Sequence, residues 1–246
     1  MKIIPLSEGM FTIDASREPI PFNPEKDSLQ NRRMGSLLIV IQPFLMITSK
    51  DILLFDTGLN IVENGLPKIY EILSQQGISS GDVTKVLLSH LHADHSGGIS
   101  FTDGNGVRQL AFPYAKYYVQ EQELKSVLEE ESLSYLKEFA VILKDNPQVE
   151  LLNGSGKIDD YITYELTGAH SPYHQVFWIK EDGETVFYGA DDAPQLGQLR
   201  KRYIAKYDFD GKKCMDLRQQ WLQQGEQEKW TFLFYHDIQH PIFTFG

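Results

Sequence analysis

The sequence predicts an α/β fold in a single domain, from three observations. The runs Ser36 to Thr48 and Asp51 to Phe55 are apolar on both faces, as strands buried between two layers are. Helical spacing at Leu66, Ile69, Ile72 and Leu73 follows those runs and precedes another apolar strand, giving a β-α-β order. The 246 residues, 41% hydrophobic and 12% aromatic, suffice for one sizeable core, and they contain no short repeat, low-complexity tract or convincing linker.

Taken in order, Lys2 to Leu6 and Gly9 to Asp14 are expected to form a short opening strand pair. Ala15 to Gly35 lacks apolar periodicity and holds Pro19, Pro21 and Pro24, which predicts a long surface arm. Two long strands follow, turning at Ser49, Lys50 and Asp51. A helix spans Leu66 to Gln76 with Gly77 as its stop, and Val83 to Leu88 is a strand leading to His90. Lys116 to Val119 is a strand, and Glu121 to Glu131 and Leu133 to Leu143 are two helices forming an insertion near the site. Strands follow at Val149 to Leu152, Tyr161 to Leu166, Gln175 to Ile179 and Thr185 to Tyr188, with Glu181-Asp182-Gly183 a hairpin turn. A helix at Lys213 to Gln224 and a strand at Trp230 to Tyr235 complete the pattern.

Composition bounds the partners. The formal charge of −11 repels phosphate backbones, and the densest basic run, Leu199 to Lys206, is short enough to be a solvated face. No nucleic-acid partner is expected. Cys214 is the lone cysteine, so neither an intramolecular disulfide nor a Cys-rich zinc site is available, which favours a reducing, cytoplasmic setting. The N-terminal residues do not read as a secretory signal, and the longest apolar run, Leu37 to Ile47, is interrupted at Gln42 and Pro43, far short of a bilayer span.

All seven histidines fall in three clusters: His90, His92 and His95; His170 and His174; His236 and His240. The densest is Ser89-His90-Leu91-His92-Ala93-Asp94-His95-Ser96-Gly97-Gly98. Mixed imidazole and carboxylate donors suit Zn²⁺, iron or manganese. His90 and His92, two apart in an extended segment, point the same way, while Asp94 and His95 come as the chain turns. Two pairs diverging from one turn suit two neighbouring ions, and the glycines allow close backbone approach.

His-x-His-x-Asp-His followed by Gly-Gly resembles the signature of the metallo-β-lactamase fold superfamily. Phe55-Asp56-Thr57-Gly58, Gly168-Ala169-His170-Ser171-Pro172, Gly189-Ala190-Asp191 and Tyr235-His236-Asp237 resemble its further segments, in family order. The resemblance implies a four-layer αββα sandwich with two metal ions at one edge, expected to be zinc, with iron or manganese as alternatives. It implies a first ion held by His90, His92 and His170, a second by Asp94, His95 and His236, and a bridge at Asp191. Asp191 is preferred over its neighbour Asp192 because it sits next to the Gly-Ala that ends the strand; His236 is preferred over His240 because it follows a buried-type strand. His174 and His240 are read as supporting or surface groups. Asp56, by resemblance, accepts a hydrogen bond from a ligand imidazole.

The chain departs from the family around His170, where Ala169 and Tyr173 replace two glycines. Tyr173 is therefore a candidate substrate contact for a developing oxyanion, as Asp94 and Asp191 are candidates for orienting the nucleophile or relaying its proton. The expected activity is a dinuclear metal-dependent hydrolase using a metal-bridging hydroxide on a lactone or other carboxylic ester of small-molecule size. Phosphotriester or thioester hydrolysis, and a mono-iron persulfide dioxygenase-like oxidation, stand as alternatives. Substrate choice is expected to come from the Ala15 to Gly35 arm, the Phe101 to Pro113 loop and the helices between Glu121 and Leu143. The arm lines a pocket or packs on a partner subunit, as in a homodimer.

Overall fold

The computed structural model describes residues 1–129 and 132–245. Two six-stranded sheets dominate it. The first runs Lys2–Pro5, Phe44–Ile47, Ile52–Phe55, Lys85–Leu87, Lys116–Gln120 and Val149–Leu152 in spatial order. The second runs Gly156–Ile158, Ile162–Leu166, Gln175–Glu181, Glu184–Tyr188, Thr231–Leu233 and Ile242–Thr244. A three-stranded sheet of Ile20–Pro21, Gly9–Ile13 and Leu37–Ile41 lies beside them.

Three apolar clusters define the layers. Between the sheets, Phe44, Phe55 and Leu87 of the first meet Phe177, Tyr188 and Leu233 of the second, with the Phe55 and Tyr188 ring centres 5.1 Å apart. The outer face of the first sheet, Leu54, Val86 and Val119, buries Ile69 and Leu73 of the Lys68–Gln75 helix and Leu124 and Val127 of the Glu121–Glu129 helix. The outer face of the second, Trp178, Phe187 and Phe232, buries Leu199 of the Leu196–Arg200 helix and Trp221 of the Gly211–Glu228 helix. The order is helices, sheet, sheet, helices. Strands covered on both sides are apolar on both faces, which is the pattern read from Ile52–Phe55.

Several expectations are corrected. The opening strands do not pair with each other: Lys2–Pro5 pairs with Phe44–Ile47, and Gly9–Ile13 with Leu37–Ile41. The Ser36 to Thr48 run is two strands in different sheets, because Gln42-Pro43 breaks it and Pro43 has no N–H for a ladder. Gln42 instead donates its side-chain amide to the Phe234 carbonyl at 2.9 Å. The Leu133 to Leu143 helix shrinks to Lys137–Ala140 with a 3₁₀ turn at Val141–Leu143. The helix expected over Glu121 to Glu131 spans Glu121–Glu129, its last two residues lying outside the described ones. The hairpin turn holds, with Asp182 and Gly183 at φ of 52° and 80°.

The topology fixes where function sits. Ile52–Phe55 and Lys85–Leu87 are parallel neighbours, so Asp56 and the Ser89-His90 segment leave the first sheet side by side. Glu184–Tyr188 and Thr231–Leu233 are likewise parallel, which delivers Asp191 and His236 from the second sheet. Ile162–Leu166 runs the same way, two antiparallel steps over, and leads to His170. All these carboxyl ends share one edge of the sandwich, the usual position of sites in open α/β sheets.

Candidate metal centre

His90 and His92 sit in the extended segment after Lys85–Leu87, while Asp94 and His95 occupy the single turn Ala93–Ser96. The glycines after that turn let it press on the Asp56-Thr57-Gly58 segment: a Cβ on Gly98 would lie 2.1 Å from the Thr57 carbonyl oxygen, and one on Gly97 2.7 Å from the Asn60 nitrogen. Thr57 N–H donates to the His95 carbonyl at 2.7 Å across this contact.

Two donor groups form. In the first, His92 Nδ1 lies 2.9 Å from His90 Nε2 and 3.2 Å from His170 Nε2. In the second, His236 Nε2 lies 3.5 Å from Asp94 Oδ2, and His95 Nε2 lies 3.9 Å from the same oxygen. Asp191 stands between them: Oδ2 is 3.3 Å from His170 Nε2, while Oδ1 is 3.2 Å from His95 Nε2 and 3.1 Å from His236 Nε2. Its carboxylate thus faces both groups. The adjacent Asp192 turns away, accepting the His170 N–H at 2.8 Å and lying 3.0 Å from His174 Nδ1.

The remaining imidazole nitrogens are held from behind. His95 Nδ1–H donates to Asp56 Oδ2 at 2.8 Å, His170 Nδ1–H to Asp208 Oδ1 at 2.9 Å, and His236 Nδ1–H to the Val40 carbonyl at 2.8 Å. His90 Nδ1–H donates to Ser89 Oγ at 3.0 Å, and Ser89 Oγ–H passes on to Asp56 Oδ2 at 2.6 Å. These bonds fix tautomers that aim Nε2 lone pairs inward. Asp56 is fully buried at φ of 54° and also accepts from Ser89 N–H at 2.7 Å and Tyr188 OH at 2.5 Å.

Such an arrangement fits a divalent cation. His95 Nε2 and Asp191 Oδ1 are buried and lack a hydrogen-bond partner among the described residues, although they lie 3.2 Å apart. Buried nitrogen and oxygen lone pairs facing one another are costly unless a proton or a metal ion lies between them. The electrostatics differ from ring to ring. Burial, then the neighbouring imidazoles, pushes His90 well below the usual range; His92 is pushed the same way, against the pull of Asp191. Burial opposes charge on His95 too, but Asp191 and Asp94 outweigh it and hold the ring well above its ordinary value. His170 and His236 are raised for the same reason, with Asp191 the main carboxylate.

A cavity of about 290 Å³ opens onto the centre through His92, Asp94, His170, Asp191 and His236. Ile13, Leu37, Ile39, Ile41, Leu59 and Leu133 make its walls apolar. Ala15, Arg17, Pro19 and Gly35 bring the arm to it, and Leu133 and Ser134 bring the segment after the Glu121–Glu129 helix. The Phe101 to Pro113 loop supplies no lining residue; it folds into the hairpin Ser100–Thr102 with Arg108–Leu110. Tyr173 is likewise absent from the lining, and the pocket tyrosine is Tyr207, its ring 6.1 Å from that of His170.

Sequence reasoning missed Asp208, Tyr207, Tyr188 and the supporting use of Ser89. Asp208 and Tyr207 lie in a loop with no motif of their own, and their partners are far along the chain. His174 is fully buried and accepts the Asp191 N–H at 3.3 Å, whereas His240 is an exposed residue of the turn at Asp237. Cys214 is buried near Asp192, its thiol pushed far up by burial, so it is no nucleophile.

The Metallo-beta-lactamase superfamily family model matches residues 39–236. The chain belongs to that superfamily. It is a hydrolase that binds divalent metal. N-acyl homoserine lactonase of Bacillus thuringiensis is 25% identical over 226 residues, covering 83% of this chain and 84% of the relative. A probable metal-dependent hydrolase from Staphylococcus aureus superposes with a TM-score of 0.76 at 19% identity, over 99% of this chain and 91% of that one. AidC, a dizinc quorum-quenching lactonase solved with the product N-hexanoyl-L-homoserine, gives 0.73 at 19% identity, over 98% and 88%. These two structures share the superfamily fold with this chain, and no described helix is long and apolar enough to cross a membrane.

Proposed function

We propose that the chain is a dinuclear lactonase, hydrolysing the ester of a small lactone that carries an apolar arm, with N-acyl homoserine lactones as the leading class. The two-sided Asp191 carboxylate carries this reading, because with one oxygen turned to each donor group it would be in reach of an ion held by either. His90, His92 and His170 would hold one ion, and Asp94, His95 and His236 the other, zinc being favoured by the nitrogen-rich donor set. Bound there, the ions supply Lewis acidity and lower the pKa of a coordinated water, so no serine or cysteine nucleophile is required.

The chain's own residues do the rest. The apolar walls, Ile39, Ile41 and Leu133 among them, take up an acyl chain and exclude water from it. Asp94 lines the cavity, which supports a role in orienting the attacking water and receiving its proton. The arm at 15–35 and the insertion at 121–143 are read as substrate-side elaborations of one domain, supported by their lining residues Ala15, Arg17, Leu133 and Ser134. The relatives named above as lactonases favour this bond over phosphotriesters and thioesters.

Two measurements test it together: elemental analysis of protein purified without added metal, and turnover of N-hexanoyl homoserine lactone beside a phosphotriester and a glutathione thioester. The expected result is two zinc ions per chain with the lactone cleaved fastest. One iron per chain with oxygen uptake would sink the hydrolytic dinuclear reading.

A further inference from the structure

Arg218 is fully buried in the Gly211–Glu228 helix and makes no ion pair among the described residues. Its guanidinium donates to two neutral acceptors, Gln198 Oε1 at 2.7 Å and the Tyr203 carbonyl at 2.8 Å, and its Nε–H has no partner among the described residues. Burying a cation among neutral groups is expensive, and an apolar residue of similar volume would pack there at less cost. The gain is orientation. A guanidinium only donates, so Gln198 must turn its oxygen to Arg218 and its NH₂ the other way. That NH₂ donates to the Tyr207 hydroxyl oxygen at 3.2 Å.

The consequence falls in the cavity. With Gln198 as a donor, the Tyr207 oxygen is already an acceptor, and its own proton meets no acceptor in this network among the described residues. We propose that Arg218 and Gln198 are positioning residues that fix the polarity of Tyr207, so that its O–H points into the cavity and donates to the carbonyl or leaving oxygen of the substrate. This deepens the lactonase reading and rests on it for the choice of substrate. The chain Arg218, Gln198, Tyr207 crosses from the helix layer to the site, and Tyr207 stands beside His170, where substrate oxygen would meet the centre. It takes the role that Tyr173, outside the lining, does not fill.

Gln198→Glu is the discriminating substitution. It is nearly isosteric, it gives Arg218 a carboxylate partner, and it presents an acceptor to Tyr207, drawing the phenol proton out of the cavity. On N-hexanoyl homoserine lactone with the zinc-loaded protein, Tyr207→Phe and Gln198→Glu are each expected to lower kcat about 100-fold, the size typical of one lost oxyanion donor. The double variant is expected to be no worse than Tyr207→Phe alone. At fixed neutral pH, the ¹³Cζ resonance of labelled Tyr207, assigned by its loss in Tyr207→Phe, should move in Gln198→Glu and return towards the original position in Gln198→Asn. Wild-type turnover in Gln198→Glu, an additive loss in the double variant, or an unmoved resonance would each overturn the proposal. Failure of the wild-type protein to cleave any lactone removes the substrate assignment instead, and the resonance still decides the hydrogen-bond polarity.

Discussion

Asp56 accepts four hydrogen bonds in a fully buried position, from Ser89 N–H, Ser89 Oγ–H, Tyr188 OH and His95 Nδ1–H. Replacing it with Asn swaps one acceptor oxygen for a donor that faces other donors. Asp56→Asn is therefore expected to weaken metal retention about 10- to 100-fold, measured by competition with a chromogenic chelator. Metal affinity unchanged within a factor of two would mean that the imidazoles are oriented by packing alone. A second residue, Glu8, sets a pH dependence. Burial raises its carboxyl from 4.5 to about 8, partly offset by the Leu59 N–H it accepts at 2.6 Å and by Lys68. Between those pH values the unfolded chain has released a proton that the folded chain retains, so this group's contribution to stability falls as pH rises from 4.5 to about 8 and is flat above. Glu8→Gln should flatten that slope and raise the melting temperature at pH 8; a wild-type slope in the variant would contradict it. The candidate donors at positions 90–95 were legible because three imidazoles and a carboxylate crowd into one short segment. Asp208 was not, because one carboxylate in a loop of mixed charge carries no signal until His170 is placed 2.9 Å from it.

At the scale of elements, the contact between the Ala93–Ser96 turn and the Asp56-Thr57-Gly58 segment decides whether both ends reach the centre. Gly98→Ala puts a methyl 2.1 Å from the Thr57 carbonyl, a backbone atom that cannot swing aside. The variant should lose about 1–3 kcal/mol of stability, read by denaturant unfolding, and bind metal less tightly. A wild-type midpoint would show that the turn relaxes freely. Periodicity and turn residues revealed most strands and the Asp182-Gly183 hairpin, since these are local preferences. They did not reveal which strands pair: Lys2–Pro5 and Gly9–Ile13 are neighbours in sequence yet belong to different sheets. Partner choice depends on burial against distant strands, which a local pattern does not encode. Gly156–Ile158 and Ile242–Thr244, short strands at the start and finish of the second sheet, were missed for the same reason.

For the whole molecule, the centre joins halves that also meet through apolar packing and through polar contacts such as Gln120 Nε2–H to Gln175 Oε1 at 2.8 Å. The first sheet contributes His90, His92, Asp94 and His95; the second contributes His170, Asp191 and His236. Removing metal with a chelator at neutral pH is expected to lower the melting temperature, and adding zinc in excess to restore it, because a ligand that binds only the folded chain stabilises it by mass action. An unchanged transition would show that the donor groups hold no metal ion in the folded state. Cross-linking follows from the same geometry. With Cys214 as its lone thiol, the chain has no internal covalent tie, yet its donors span most of the sequence from His90 to His236. Metal gripped from both sheets would restrict the chain as a bond closing a very long loop does, and loops of that length gain the most from closure. The chain would thus carry a reversible staple whose strength is set by free metal concentration instead of by redox state.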